Sequence, residues 1–201
     1  MKKIGDNAFY RYIDLNKVEI ATNSELESIG NSSFEECSSI ESISLPPSIK
    51  NICCKAFQKC TNLKNVEFDP NIKLEKFNDY SFDSTLIEEI SIPSSVTRIG
   101  LGAFNECKNL KRIKIPKNSK LEIIDSNAFN NTQIESIFLP SNLAYLNEGW
   151  CNGTNKLNEI VVDQENKSFI FVDNKLLLSK SSPEKENFDV LVFCARNAEN
   201  V

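Results

Sequence analysis

The residues of this 201-residue chain with the most chemistry to offer are its seven cysteines. Thiols can pair as disulfides, hold zinc or act as nucleophiles, and their spacing decides among these roles. Cys37, Cys60 and Cys107 each stand three residues after a phenylalanine, at Phe34, Phe57 and Phe104. Equivalent places elsewhere hold Tyr12 and Thr154, with Thr85 and Thr132 close by. A position that accepts Thr or Tyr is a packing slot, so these thiols are expected to be buried and inert, as free Cys commonly is. No C-x-x-C pair is present, and a bridge between adjacent Cys53 and Cys54 would be strained, so no metal site is expected. An odd number of cysteines suits a reducing compartment better than a secreted one.

Histidine is absent. That removes Ser–His–Asp and Cys–His catalysis, the usual proton shuttle and the commonest zinc ligand together. Carboxylates are numerous, as at Glu35–Glu36 and Glu88–Glu89, but nothing sets two of them around a common cleft. Solvated surface is their expected place. The chain is therefore read as having no catalytic residues, no cofactor and no enzymatic activity. Four N-x-S/T sequons, beginning at Asn31, Asn130, Asn152 and Asn166, matter only if the chain is exported.

A net charge of −5 with no basic run argues against nucleic acid and against an anionic membrane surface as partners. No apolar run reaches membrane-spanning length, so no membrane insertion is expected of this segment. Asp6, Arg11 and Asp14 interrupt the opening MKKIGDNAFYRYIDLNK, which does not read as a signal peptide.

The elements that position these groups are read from self-similarity. The block Ile-Gly-x-x-Ala-Phe occurs as IGDNAF (4–9), IGNSSF (29–34), ICCKAF (52–57), FNDYSF (77–82), IGLGAF (99–104) and IDSNAF (124–129), with a degenerate LNEGWC at 146–151. Successive last positions lie 25, 23, 25, 22, 25 and 22 residues apart, so long and short units alternate. Self-similarity at this period is the signature of a solenoid, in which each unit buries its apolar side only against its neighbours.

Each column of the block carries an expectation. The second holds Gly5, Gly30, Cys53, Asn78, Gly100, Asp125 and Asn147, mostly residues that tolerate a left-handed backbone, so a sharp turn is expected there. The fifth is Ala or Ser in six units, which implies a site too crowded for a larger side chain. Phe fills the sixth and is expected to stack on its neighbours. Trp150 stands in the fifth column of unit seven, where either the backbone shifts or the indole takes over the Phe role.

Beyond each Phe follows apolar-x-x-apolar-x-apolar: LNKVEI, IESISL, LKNVEF, IEEISI, LKRIKI, IESIFL and LNEIVV. The last four residues alternate with period two, as in a strand buried on one side. Pro46, Pro93, Pro116 and Pro140 stop that strand, and Pro70 does so one residue later. A second extended piece, such as SVTRI at 95–99, leads to the next turn, and a short helical stretch is expected around AFNECKNL. After Val162 the pattern lapses into strand, Asp-Asn turn, strand, polar loop (180–187, expected to be mobile) and strand. The expected organisation is a solenoid of about seven units over 1–163 and a β cap over 164–201, continuous with it and shielding its open edge.

The motif L-x-x-I-x-L-P…L-x-x-I-G-x-x-A-F-x-x-C-x-x-L, over about residues 4–163, resembles the BspA-like, or Treponema-type, leucine-rich-repeat family. Departures are the missing Cys in units one, four, six and seven and the Trp-Cys of unit seven. The resemblance implies a curved solenoid, often displayed on the surface of bacteria or parasitic protists and implicated there in adhesion. The expected fold is thus an α/β repeat solenoid: a right-handed leucine-rich-repeat coil with short strands on its concave side, short helical turns on the other and a β-rich C-terminal cap.

Function in a solenoid resides on the surface its strands share. The outward positions of the repeated strand run from Lys17 and Glu19 to Glu159 and Val161 and are mostly polar. Near the C-terminal end they include Arg112, Lys114, Ser136, Phe138, Glu159 and Val161, with Tyr145 and Trp150 close by. Aromatic residues beside cations are typical of interaction hot spots. The expected function is a non-catalytic protein-binding module, a cell-surface or secreted adhesion protein by resemblance, with a host or self protein as partner. The alternative is an intracellular scaffold of the same fold, favoured by the unpaired thiols and the lack of an export signal in this segment.

Overall fold

A computed structural model describes residues 1–182 and 184–195. In chain order its first eight strands are β1 (Lys3–Ile4), β2 (Ser28–Ile29), β3 (Ser42–Leu45), β4 (Asn51–Ile52), β5 (Asn65–Phe68), β6 (Lys76–Phe77), β7 (Glu89–Ser91) and β8 (Arg98–Ile99). The remaining eight are β9 (Arg112–Lys114), β10 (Ile123–Ile124), β11 (Ser136–Leu139), β12 (Tyr145–Leu146), β13 (Glu159–Val162), β14 (Phe169–Val172), β15 (Leu176–Ser179) and β16 (Val190–Cys194).

The strands wind into a solenoid of seven coils. The two-residue strands that end each unit form one continuous parallel sheet in the order β1-β2-β4-β6-β8-β10-β12. The longer strands, in which every second residue points inward, form three separate parallel pairs, β3-β5, β7-β9 and β11-β13. The sequence explains that break. Pairing spans the steps from Phe34 to Phe57, Phe82 to Phe104 and Phe129 to Cys151, which are the shorter ones. Odd-numbered coils carry a wider corner: Lys76 lies eleven positions after Asn65 and Ile123 eleven after Arg112, whereas Asn51 follows Ser42, and Arg98 follows Glu89, by nine. Across each long step the neighbouring strands part.

No helix occurs among the described residues, which overturns the α/β assignment and its helical turns. The Ala-Phe-x-x-Cys side is instead a row of turns bonded from coil to coil. The Asn7, Phe9 and Arg11 amides donate to the Asn31, Ser33 and Glu35 carbonyls, and those of Ser32, Phe34 and Glu36 to Cys54, Ala56 and Gln58. The same triplet recurs up the stack, through Gly102, Phe104 and Glu106 donating to Ser126, Ala128 and Asn130. A helix would spend these amides within its own segment; here they join one coil to the next.

The backbone makes this possible with two left-handed residues per coil, two before and two after the Phe position: Asn7 and Arg11, Ser32 and Glu36, Lys55 and Lys59, and onward to Gly149 and Gly153. The expected left-handed glycine column is therefore misplaced by two residues. Gly30 and Gly100 serve close approach instead, since a Cβ on Gly30 would meet the Gly5 carbonyl carbon at 2.7 Å and one on Gly100 the Phe77 oxygen at 2.7 Å.

Inside the coils the phenylalanines stand in a single file. Phe9, Phe34, Phe57, Phe82, Phe104 and Phe129 stack with successive ring centroids 5.1–5.6 Å apart and nearly parallel planes. Trp150 closes the file edge-on, 6.4 Å from Phe129 and almost perpendicular to it. The backbone shifts there too, because Asn127 bonds to the Gly149 carbonyl, one residue later than its counterparts in other coils do. Trp150 is 2% exposed and belongs to the core rather than to a binding surface. Beyond it, β14, β15 and β16 form an antiparallel sheet. Its first hairpin turns through Asp173, Asn174 and Lys175, with Asp173 and Asn174 both left-handed. Phe169 and Leu177 from this sheet enter the core and Phe193 meets Trp150 at 6.4 Å. Pro183, within the loop expected to be mobile, and residues 196–201, the end of the expected cap, lie outside the described residues.

Candidate partner-binding face

The Cys column is resolved by its hydrogen bonds. Cys37, Cys60 and Cys107 donate from Sγ to the carbonyl oxygens of Phe9, Phe34 and Phe82 in the preceding coil, at 2.9, 3.0 and 3.1 Å. Thr154 does the same to Phe129 at 2.7 Å. The slot requires a small donor, and Cys and Thr both satisfy it. None of the seven cysteines forms a disulfide. Burial pushes the Cys60 and Cys107 thiols up, Cys107 to about 12, so neither is a nucleophile near neutral pH.

The outward side of the longer strands carries the residues singled out for binding. The pairing of β11 with β13 sets Ser136 opposite Glu159 and Phe138 opposite Val161. Val161 is 47% exposed, whereas Phe138 is half-buried and packs partly on the core. Arg112 and Lys114 are exposed on β9, and both reach back to Glu89 on β7: Arg112 Nε bonds Glu89 Oε2 at 2.6 Å, and Lys114 Nζ bonds Oε1. Those bonds, Lys114's first, hold the Glu89 carboxyl below its ordinary pKa. The two cations thus share one counter-ion, which sequence reasoning left among the generic surface carboxylates. The register β7-β9 was its available signal, because it puts Glu89 opposite Arg112. Tyr145 is exposed but lies on β12, in the other sheet, and does not join the cluster.

Corners complete this face. Lys117 and Asn118 of coil five and Asp163, Gln164 and Glu165 of coil seven flank Phe138 and Val161 in a shallow groove. An equivalent groove recurs nearer the N-terminus, where Thr22 of coil one and Asp69 and Pro70 of coil three flank Ser44 and Phe68. The wide corners of odd coils are its walls, so the alternation of unit lengths shapes the surface as well as the pairing. Asp69 and Asp163 fix these corners alike, accepting the amides of Asn71 at 2.8 Å and Glu165 at 2.9 Å.

The sequence profile described as BspA type leucine rich repeat region matches residues 1–78 and 75–176, in six copies. No curated protein gives a sequence match. Among solved structures, the pneumococcal vaccine antigen PcpA is similar with a TM-score of 0.71 at 30% identity, over 89% of this chain and 44% of its own. A leucine-rich repeat protein from Bacteroides ovatus is similar with a TM-score of 0.68 at 26% identity, over 86% of this chain and 47% of its own. A leucine rich cell surface protein from Faecalibacterium prausnitzii, at 22% identity and a TM-score of 0.66, shares the fold over 90% of this chain and 47% of its own. The chain thus spans under half the length of each of these three.

Proposed function

The chain belongs to the BspA-type leucine-rich-repeat family, and from that premise we propose that it is a non-catalytic protein-binding module acting at a cell surface. Its binding face is the outward side of β9, β11 and β13, with Arg112, Lys114, Ser136, Phe138, Glu159 and Val161 as contacts. The observation that carries this reading is the register of Phe138 beside Val161, two apolar side chains next to each other on a face that is otherwise polar. An apolar pair ringed by Arg112, Lys114 and Glu159 is the arrangement in which a buried anchor and a solvated rim form an interface. Residues 164–201 act in this reading as a cap continuous with the solenoid of 1–163. The surface location draws support from the likeness to a pneumococcal vaccine antigen at 30% identity.

A second reading, an intracellular scaffold with the same face, is favoured by seven cysteines of which none is in a disulfide. Antibody labelling of intact and of permeabilised cells separates the two. Signal from intact cells is expected, and signal that requires permeabilisation would favour the scaffold. Capture of proteins from host and self surface extracts by the immobilised chain then identifies the partner. Arg112→Ala with Val161→Ser is expected to abolish specific capture, and unchanged capture would remove this face from consideration.

A further inference from the structure

The last long strand, β13, like β5 and β9, is paired only toward the preceding coil, and among the described residues no later coil stacks beyond it. The Asp163 amide donates to the Leu139 carbonyl at 2.9 Å and the Glu159 amide to Glu135 at 3.3 Å, both toward the preceding coil. Along a strand, successive residues turn their N–H and C=O to opposite sides, so Ile160 and Val162 direct theirs away from β11. Among the described residues no group bonds to them there. In coils two, four and six the same edge is filled by the next strand.

What lies beyond this edge is a cleft of about 850 Å³ between β13 and the C-terminal sheet. The sheet closes the core beside Trp150, and the cleft remains between it and β13. Its far wall is apolar, formed by Phe169, Ile170, Phe171 and Phe188, with Ile170 40% exposed. Two carboxylates, Glu159 and Asp163, line the cleft, and among the described residues no lysine or arginine does.

We infer that this cleft is a β-augmentation site, which accepts an extended peptide segment of a partner as an additional strand beside β13. Backbone bonds to Ile160 and Val162 supply register, alternate apolar side chains meet the phenylalanine wall, and a lysine or arginine of the peptide meets Glu159 and Asp163. A second copy of this chain fits poorly, because its own β13 segment, Asn-Glu-Ile-Val-Val-Asp, would bring carboxylates against carboxylates. The inference deepens the binding reading above, since Glu159 and Val161 belong to both surfaces, but it names a backbone-mediated mode that the side-chain face does not require.

The test is selection of random ten-residue peptides on the whole chain, followed by amide hydrogen exchange. Enriched peptides are expected to alternate apolar with polar residues and to carry lysine or arginine. N-methylation at alternate peptide positions should weaken them tenfold or more, and they should slow exchange at Ile160 and Val162 at least tenfold. Val162→Pro, which removes an outward donor and no internal hydrogen bond, should weaken them tenfold with the chain still folded; should it unfold, the N-methyl series and the exchange rates still decide. Enriched peptides that leave exchange at Ile160 and Val162 unchanged would overturn the inference, as would a failure to enrich any. Slowed exchange at those two amides in a peptide-free dimer would assign the edge to self-association and also overturn it. If Arg112→Ala with Val161→Ser abolishes partner capture while Val162→Pro and N-methylation have no effect, the side-chain face stands and the edge site falls.

Discussion

At the level of single residues, the columns of the repeat are slots with defined chemistry, and their exceptions are informative. The Ala column admits Ser33 and Ser81, whose hydroxyls are buried and without a hydrogen-bond partner. An unsatisfied buried hydroxyl costs about 1–3 kcal/mol, so Ser81→Ala is expected to raise stability by about 1 kcal/mol in denaturant unfolding. A loss would mean that the hydroxyl has a partner. The Cys column leads to a labelling result. With Cys60 and Cys107 pushed up by burial and Cys194 exposed, iodoacetamide at pH 8 should modify Cys194 in the native chain and reach Cys60 and Cys107 only after denaturant is added. The same shift sets an alkaline limit. An unfolded thiol ionises near its ordinary 9.0, whereas folded Cys107 stays protonated to about 12. The stability it contributes is therefore complete below pH 9 and is lost as pH rises toward 12. The packing role of this column was legible from its tolerance of Thr. Its hydrogen bond was not, because the acceptor is a backbone carbonyl one coil away.

Among the elements, strands were legible and turns were not. Alternation in the last four residues of each unit, cut off by proline, located β3, β5, β7, β9, β11 and β13 to within about a residue. The Ala-Phe-x-x-Cys-x-x-Leu side imitated a helix because Ala103, Phe104, Cys107 and Leu110 recur at three- and four-residue steps, all of them buried. A chain of turns with two left-handed residues produces the same inward spacing. Asn7, Gly102, Asn127, Asn131, Gly149 and Gly153 suit those left-handed positions, but the others, among them Lys55, Lys59, Tyr80, Arg11 and Glu36, carry no sequence signal for them. Most are side chains that disfavour that backbone by roughly 1–2 kcal/mol. Lys55→Gly is therefore expected to stabilise the fold by up to about 1 kcal/mol once the flexibility glycine adds to the unfolded chain is counted. Thermal unfolding measures it, and destabilisation would argue against a left-handed residue 55. The alternation of unit lengths was visible in the sequence, but its consequence, strands that pair across short steps and part across long ones, appears only once the corners are built.

On the scale of the whole molecule, seven coils convert a repeated irregular string into a continuous core with a phenylalanine file at its centre and a repeated polar face outside it. The sequence predicted the phenylalanine file, because each unit shows the same inward set. It did not separate Tyr145 from the other candidates, since assignment to one of two sheets depends on register. The central claim is that the outward side of β9, β11 and β13 is free to bind because the fold does not depend on it. Arg112 and Val161 test this most directly: both are exposed, and the Arg112–Glu89 ion pair, at the surface, is worth little to stability. The decisive measurement is partner affinity and thermal unfolding midpoint together for Arg112→Ala with Val161→Ser. Affinity is expected to fall at least tenfold with the midpoint unchanged within about 1 °C; a midpoint that falls in step with affinity would contradict the account.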